Sequence, residues 1–289
     1  MDAPLSQVFY PVSFHELFSA WNRFPEAVPY AGGTDQNWRQ GKNIFKLPAV
    51  ILCLDKLQEL HRITRTEHYL EIGSMVRLNK IIWLGKVVPD VLRICLENIG
   101  GVQLRNIATI GGNICGISRL LDVPAALTAL DAQYELRNAH STRWLSASRF
   151  HSKEDHASKE GYASKEEHAS LESQELLTRI RLPLHHWDYS VYKKFLPDEF
   201  INSEALVFLA NAQKSVLSDI RVVYKAASII RNKNGEDILN GKFLPLNRKT
   251  ADDFIANWVE FLNGRNDVGE FSKNALLAGI EENVYNLTE

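Results

Sequence analysis

The sequence predicts an α+β protein with two domains. Its 289 residues suit one large or two modest domains. A strand-rich segment followed by helical patterns begins near residue 184, which favours a separate α+β domain there. No G-x-G-x-x-G stretch follows a predicted strand with an acidic residue about 20 positions later, so a Rossmann fold is not indicated. We therefore expect domains at residues 1–183 and 184–289.

The first predicted helix has a clear start signal. Ser13 and Glu16 form a capping box, in which the Ser13 hydroxyl caps the helix and Glu16 reaches back. Apolar residues then follow at helical spacing: Phe14, Leu17, Phe18 and Trp21. Short apolar or alternating runs predict the strands that come next, at 27–31, 49–54, 61–66 and 69–73.

The remaining elements are predicted from the same periodicities. Helices are expected at 78–84, at 89–98 with Pro89 in the first helical position, and at 122–130. Strands are expected at 134–137, 189–195, 206–212 and 220–226. Two further helices with apolar stripes are expected at 253–261 and 271–280.

A low-complexity insertion is predicted at about 151–172. It is an imperfect repeat around Ala-Ser-Lys-Glu that offers almost nothing to bury, so we expect a solvated segment, disordered or weakly helical. The insertion has three histidines, at 151, 156 and 168, which recur with the repeat and fall on no single helix face. We therefore predict no metal site there.

Composition excludes several classes of function. The net charge is −2, which provides no electrostatic case for binding nucleic acid or an anionic membrane. No apolar run approaches the roughly 18 residues of a membrane span, and the N-terminus has no secretory signal pattern. Cys53, Cys95 and Cys115 are widely spaced, which disfavours an iron–sulfur cluster or structural zinc and fits a reducing, cytoplasmic compartment.

Two glycine-rich stretches carry most of the functional information. The first is Ala31-Gly32-Gly33-Thr34-Asp35, and the second runs from Arg105 to Cys115 and contains Gly111 and Gly112. Paired glycines let backbone N–H groups approach an anion, and Thr34, Thr109 and Asn113 add neutral hydrogen-bonding groups. Two such loops could hold a pyrophosphate from two sides. Taken alone, the same residues are also compatible with two tight turns at strand ends.

Both stretches, in this order and at this distance, resemble the flavin-binding subunit of the molybdenum hydroxylases, the family of xanthine dehydrogenase and carbon monoxide dehydrogenase. The combination of AGGTD with RNxATxGGN is the specific part of the resemblance. Further matching segments extend it from about residue 9 to the end of the chain: residues 70–74, 100–106, 173–180, 191–195 and 236–242.

The resemblance implies a fold and a site. The fold would be a two-subdomain FAD-binding domain of the PCMH (vanillyl-alcohol-oxidase-like) type, followed by a smaller α+β domain of the CO dehydrogenase flavoprotein type. The residues matching the family's diphosphate loops are Ala31, Gly32, Gly33, Thr34, Asp35, Gln36, Thr109, Gly112 and Asn113. Asp122 would bond a flavin or ribityl group, Leu176 and Leu177 would pack on the isoalloxazine, and Lys194 would lie near its pyrimidine edge.

The function implied is electron transfer through FAD. A molybdopterin-binding large subunit would hydroxylate a substrate, a 2Fe-2S small subunit would relay the electrons, and FAD would reduce NAD or another acceptor. No catalytic triad or carboxylate pair is visible, as expected where the cofactor carries the chemistry. Each residue has a plainer alternative: Asp122 could cap its helix, the leucines could be strand core, and Lys194 could be solvated.

Two departures from the family pattern keep other functions open. Arg119 and two leucines occupy 116–121, where the family has small residues, and Asp198 follows the Tyr-x-Lys-Phe strand where a base is usual. These changes motivate the alternative of a non-catalytic assembly subunit that has lost FAD. A stand-alone flavoenzyme is a third possibility, disfavoured by the missing covalent-flavin signature and by the C-terminal match.

Overall fold

The chain folds into three sheets and their helices, which confirms the α+β class. A computed structural model describes residues 6–40, 47–116, 121–151, 171–195 and 203–288. The strands are β1 (Gln7–Phe9), β2 (Val28–Tyr30), β3 (Val50–Cys53), β4 (Ile63–Arg65), β5 (Tyr69–Gly73), β6 (Gln133–Arg137), β7 (Thr142–Ser146), β8 (Leu176–Pro183), β9 (Tyr189–Phe195), β10 (Glu204–Gln213), β11 (Val216–Lys225) and β12 (Ile229–Arg231).

The helices are mostly short until the C-terminal end of the chain. They are α1 (Phe14–Arg23), α2 (Thr34–Gln40), α3 (Leu78–Ile82), α4 (Asp90–Glu97), α5 (Val102–Arg105), α6 (Ile110–Ile114), α7 (Val123–Ala129), α8 (Ala147–Phe150), α9 (Lys233–Glu236), α10 (Arg248–Asn263) and α11 (Glu270–Tyr285). Single 3-10 turns occur at Leu54–Lys56, Gln58–His61 and Gly85–Val87.

The first subdomain is a small parallel sheet covered by α1. Its strand order is β1-β3-β2, with β3 in the centre. The predicted capping box forms: the Ser13 hydroxyl accepts from the Glu16 N–H, and the Glu16 carboxylate accepts from the Val12 N–H at 3.0 Å. The four predicted apolar residues of α1 are buried and share a core with β3.

The second subdomain is a five-stranded antiparallel sheet in the order β4-β5-β8-β6-β7. One of its faces is apolar and shares a core with α3, α4 and α7. Strand β8 lies between β5 and β6, although it follows β6 in sequence by about forty residues that include the insertion, and β5 by about a hundred. The sheet therefore combines strands from before the insertion with one strand from after it. That strand, β8, follows directly after the segment at 171–175.

The C-terminal sheet, in the order β12-β11-β10-β9, is buried on both faces. On β10, Ala205, Val207 and Leu209 belong to the core of the second subdomain. The alternating residues Leu206 and Phe208 belong to a separate core with α10 and α11. Because a strand presents alternate side chains to opposite faces, this one sheet ties the second subdomain to the C-terminal helices.

Several predicted elements are confirmed and others differ. The predictions of α1, β5, β6 and β9 are confirmed, whereas α10 and α11 extend beyond the predicted ends. Pro89 is the residue before α4 and not its first residue. The sequence analysis missed the short elements β1, β7, β12, α2, α8 and α9, and it gave no bounds for β8. The boundary at 183/184 stays a prediction, and residues 152–170 of the insertion lie outside the described residues.

The second glycine stretch is not the open loop that was expected. Its two glycines lie in α6, and the Thr109 hydroxyl accepts the Gly112 N–H at 3.1 Å as the cap of that helix. A short helix, α5, precedes it. Glycine is a poor helix former, so the glycine pair masked the helical signal.

Truncation of Phe208 tests the two-faced burial of β10. Phe208 is fully buried and makes an edge-to-face contact with Tyr189, so Phe208→Ala is expected to lower the free energy of unfolding by about 3–5 kcal/mol. The matched control is Phe243→Ala, because Phe243 is 73% exposed and its removal should cost less than about 0.5 kcal/mol. Urea denaturation measures both, and equal losses would contradict the assignment of this core.

Candidate functional site

A cleft of about 800 Å³ opens where the two subdomains and the C-terminal sheet meet. This volume is within the range of small-molecule and cofactor sites. All thirteen residues singled out from the sequence line it: Ala31, Gly32, Gly33, Thr34, Asp35, Gln36, Thr109, Gly112, Asn113, Asp122, Leu176, Leu177 and Lys194. Residues more than 160 positions apart are thus brought to one cavity.

The first glycine stretch contributes unpaired backbone donors to the cleft. It connects β2 to α2, and Gly33 has φ +67°, a conformation that L side chains rarely adopt. Among the described residues, no group accepts a hydrogen bond from the N–H groups of Gly32, Gly33, Thr34 or Gln36. Partly buried N–H groups without partners are suited to receive an anionic ligand.

The two glycine stretches touch each other through backbone atoms. A Cβ on Gly32 would lie 2.2 Å from the carbonyl oxygen of Ile107, in the turn just before Thr109. Only glycine permits this approach, so Gly32 sets the separation of the two stretches. A Cβ on Gly33 would meet the hydroxyl end of the Tyr30 side chain at 2.3 Å, so a larger residue at this position requires that side chain to move.

The two glycines of the second stretch, unlike those of the first, have no free backbone donors, so this stretch contributes mainly side chains. The N–H groups of Ile110 and Gly111 bond to Val76 and Ser74, and those of Gly112 and Asn113 bond within the turn at Thr109. This corrects the expectation that both stretches would offer N–H groups in the same way. The hydroxyl of Thr109 and the amide nitrogen of Asn113 are left as donors.

Asn113 also has a structural function that the sequence analysis missed. Its Oδ1 accepts the N–H of Val123, the first residue of α7, at 3.1 Å, and the residue is 7% exposed. It therefore satisfies a donor at a helix N-terminus that would otherwise be unpaired. Asp122, for which capping was the plainer alternative, makes no side-chain cap hydrogen bond to α7.

Asp122 is instead the centre of a buried cluster of charges. Its Oδ2 accepts from Lys194 at 2.7 Å, and its Oδ1 accepts from Lys225 at 3.2 Å and from the Ser203 hydroxyl at 2.9 Å. Burial by itself raises the pKa of the carboxyl. The charges of Lys225 and Lys194 and the hydrogen bonds from Lys194 and Ser203 outweigh burial and hold the pKa below its ordinary value.

Lys225 and Ser203 are site residues that sequence reasoning missed. Lys225 ends β11, is 3% exposed, and also donates to the carbonyl of Ser203. The sequence did contain an indication of Lys225, because this lysine ends the apolar run Val222-Val223-Tyr224. A lysine in a strand buried on both faces is shielded from water and needs a partner for its charge. Both residues line the cleft with Asp122 and Lys194.

Leu176 and Leu177 enter the cleft from the start of β8. They are 7% and 3% exposed, and they belong to the cores of the first and second subdomains respectively. Both leucines are therefore strand core, as the plainer alternative predicted, and both also line the cleft. Preceding them, Glu175 is held by a bidentate hydrogen bond with Arg143 at 2.7 Å, which keeps this wall in place.

The residues of the cleft fit a dinucleotide cofactor such as FAD. The glycine stretches form a cradle that a Cβ would fill, and unpaired N–H donors match a diphosphate. Apolar leucines and paired cations lie along the same cavity and suit a flat ring that gains negative charge. The divergent residues 117–120 and 196–202 lie outside the described residues, although Leu121 lines the cleft.

Within the described part of the chain, no set of three or more His, Cys, Asp or Glu side chains is placed to hold a metal ion. No helix in those ranges has the length and apolar character needed to cross a membrane.

Asn113→Ala is expected to lower the free energy of unfolding by about 1–2 kcal/mol, because the Val123 N–H loses its acceptor. Asn113→Asp keeps an oxygen at the same position and should lose less. Urea denaturation of the two variants provides the comparison. Equal losses would mean that the bond to Val123 contributes little.

The lowered pKa of Asp122 predicts that the free energy of unfolding depends on pH. Its pKa is lowered on folding, so the folded state binds fewer protons than the unfolded chain as pH falls below the ordinary value of 3.8. The stabilisation is present above that pH and is lost as pH falls through the folded pKa. Asp122→Asn should therefore show a shallower loss of stability between pH 5 and pH 3 than the native chain, although it is less stable throughout. A slope as steep as that of the native chain would contradict this.

Comparisons with known proteins agree with the geometry. Residues 4–185 match the family model described as FAD binding domain in molybdopterin dehydrogenase. Xanthine dehydrogenase 2 of Arabidopsis thaliana is 26% identical over 256 residues, which are 80% of this chain and 18% of that protein. Glyceraldehyde dehydrogenase medium chain of Sulfolobus acidocaldarius is 28% identical over 180 residues, which are 61% of this chain and 60% of that one. The chain thus spans less than two thirds of these curated relatives.

A solved structure shares the complete fold. Reconstituted CO dehydrogenase from Oligotropha carboxidovorans aligns with a TM-score of 0.78 over 100% of this chain and 99% of that chain, at 19% sequence identity. The CO dehydrogenase flavoprotein fold expected from the sequence is therefore confirmed, including its C-terminal part. With a family model that matches more than half of its length, the chain belongs to the FAD-binding domains of the molybdopterin dehydrogenases.

Proposed function

We propose that this chain is the FAD-bearing electron-transfer subunit of a multi-subunit molybdenum hydroxylase of the xanthine dehydrogenase type. The observation that carries the proposal is the cleft, which is lined both by unpaired N–H donors of one glycine stretch and by side-chain donors of the other. FAD supplies hydride and one-electron chemistry when bound. The protein supplies binding, orientation and charge.

The diphosphate of FAD is assigned to the two glycine stretches. The N–H groups of Gly32, Gly33, Thr34 and Gln36 have no acceptor in the described protein, and Thr109 and Asn113 line the same cleft with a hydroxyl and an amide nitrogen. These donors are neutral, so they satisfy the phosphate oxygens without requiring a buried lysine or arginine there.

The isoalloxazine is assigned to the part of the cleft lined by Leu176, Leu177 and Lys194. The two leucines offer apolar contact, and both are held in well-packed cores that fix their positions. Lys194 is held by Asp122 and by the carbonyl of Asn98 at 3.1 Å. A cation at this place favours negative charge on the ring.

The partners proposed are a molybdopterin-binding large subunit and a 2Fe-2S small subunit, with NAD or another acceptor receiving the electrons. The chain has three cysteines in all, fewer than the four that a cluster held by cysteine alone requires. Iron–sulfur clusters held by four cysteines would therefore lie outside these 289 residues. Electrons would pass from those clusters to FAD in the cleft and then to the acceptor.

An absorption spectrum of the purified chain, before and after incubation with FAD and desalting, tests the cofactor assignment. Flavin bands that survive desalting support the proposal. A folded, colourless protein that takes up no FAD would favour the alternative of an assembly subunit that has lost the cofactor. Co-purification with molybdenum and iron, measured on the complex, tests the proposed partners.

A pair of isosteric variants at Gly33 tests the diphosphate assignment. Asn and Asp are the residues best able to adopt the positive φ of Gly33, and both add the same Cβ beside Tyr30. The Asp variant alone adds a negative charge next to the proposed diphosphate. We expect Gly33→Asp to bind FAD at least about tenfold more weakly than Gly33→Asn, which corresponds to about 1.4 kcal/mol. Fluorescence titration measures both, and equal affinities would place the diphosphate elsewhere.

A further inference from the structure

The end of α4 leaves four consecutive carbonyl groups without backbone donors. They belong to Glu97, Asn98, Ile99 and Gly100, and among the described residues no backbone N–H donates to any of them. Carbonyls at a helix C-terminus need other donors, from side chains, turns or water. Ile99 and Gly100 also line the cleft, so whatever holds these carbonyls shapes part of the cleft wall.

Two cations from distant parts of the chain supply the missing donors. Nη1 of Arg105 donates to three of the carbonyls at 2.6 to 3.0 Å, those of Glu97, Ile99 and Gly100. The fourth carbonyl, that of Asn98, accepts from Nζ of Lys194 at 3.1 Å. Cations are favoured at this place because the C-terminal end of a helix carries negative partial charge. Arg105 thus binds the carbonyls on both sides of Asn98 and leaves that of Asn98 to Lys194.

Arg105 is not one of the residues that line the cleft, so it can act on a ligand there only through other groups. It is the last residue of α5 and the first of the second glycine stretch. Its Nε lies 3.5 Å from Oδ1 of Asn79, a residue of α3 that is 5% exposed. The guanidinium therefore connects a buried amide to the end of α4. A planar guanidinium suits this task because its five donors keep a fixed geometry.

We propose that Arg105 is a positioning residue for Lys194. By holding the carbonyls around Asn98, Arg105 fixes the Asn98 carbonyl. That carbonyl and Asp122 together keep the Lys194 ammonium at the part of the cleft assigned to the isoalloxazine. The proposal rests on the proposed function and gives a role to the arginine of the RNxATxGGN motif.

Loss of the Arg105 side chain has two electrostatic consequences of the same sign. The segment at 97–100 loses its donors, so the Lys194 ammonium is held less firmly at the cleft. The freed carbonyl oxygens also add negative partial charge beside the cleft. Uptake of two electrons and one proton adds one negative charge to the flavin, and a nearby cation favours that form. The midpoint potential of bound FAD should therefore become more negative.

A double-mutant cycle on the full chain tests the proposal, with the midpoint potential of bound FAD as the readout. The potential is measured by reductive titration with dithionite against a reference dye. Arg105→Met and Lys194→Met are each expected to make it more negative, by about 30 mV for each tenfold loss of preference for reduced flavin. The double variant is expected to be no more negative than Lys194→Met, because Arg105 acts through Lys194.

Two further variants separate positioning from a general structural effect. Arg105→Lys keeps a cationic donor for the carbonyls and should recover at least about half of the shift. Arg93→Met is the matched control, because Arg93 lies on α4, pairs with the side chains of Asp90 and Glu97, and does not line the cleft. It is expected to leave the potential unchanged.

Additive shifts in the double variant would overturn the proposal, since Arg105 would then act independently of Lys194. A potential in Arg105→Met equal to that of Arg93→Met would overturn it as well, as would a loss of FAD binding in Arg105→Met that Lys194→Met does not share. Should Arg105→Met not fold by circular dichroism, Arg105→Gln takes its place in the cycle. These outcomes refute only the role of Arg105, whereas a native chain that binds no FAD refutes the proposed function.

Discussion

The carboxylate of Asp122, buried and shared by two lysines, is the constraint on which the geometry of the cleft depends. It precedes α7 of the second subdomain, while its partners are on β9 and β11 of the C-terminal sheet. A buried charge is tolerated only when its partners are in place, so these three elements must meet at one point. The inner wall of the cleft is consequently built by both predicted domains.

A second constraint on the cleft is a backbone contact. Gly32 approaches the Ile107 carbonyl more closely than any other residue could, which joins the first subdomain to the second at the two glycine stretches. The stretches are similar in sequence but differ in their hydrogen bonds. The glycines of the first keep free N–H donors, whereas those of the second donate to Ser74 and to the Thr109 hydroxyl. The first stretch can therefore offer backbone N–H donors to a ligand, whereas the second offers mainly side-chain donors.

Local patterns predicted much of the fold because they depend on neighbours in sequence. The capping box and apolar spacing of α1, and the alternation in β5 and β9, are properties of short segments. The short elements β7, α8 and β12 were missed because three to five residues provide too little periodicity to recognise. The helix α6 was missed because its glycines indicate a turn when read without their tertiary contacts.

The sequence by itself determined the α+β class from its periodicities. It also determined the family and thirteen of the residues that line the cleft, because the two glycine motifs are specific in combination. Only the tertiary structure decided what those residues do. Asn113 supports α7, and Asp122 is occupied by two lysines, one of them a residue the pattern did not single out. The physical reason is that burial and charge pairing depend on side chains separated by more than 70 positions in the chain, and no local pattern records which of them meet.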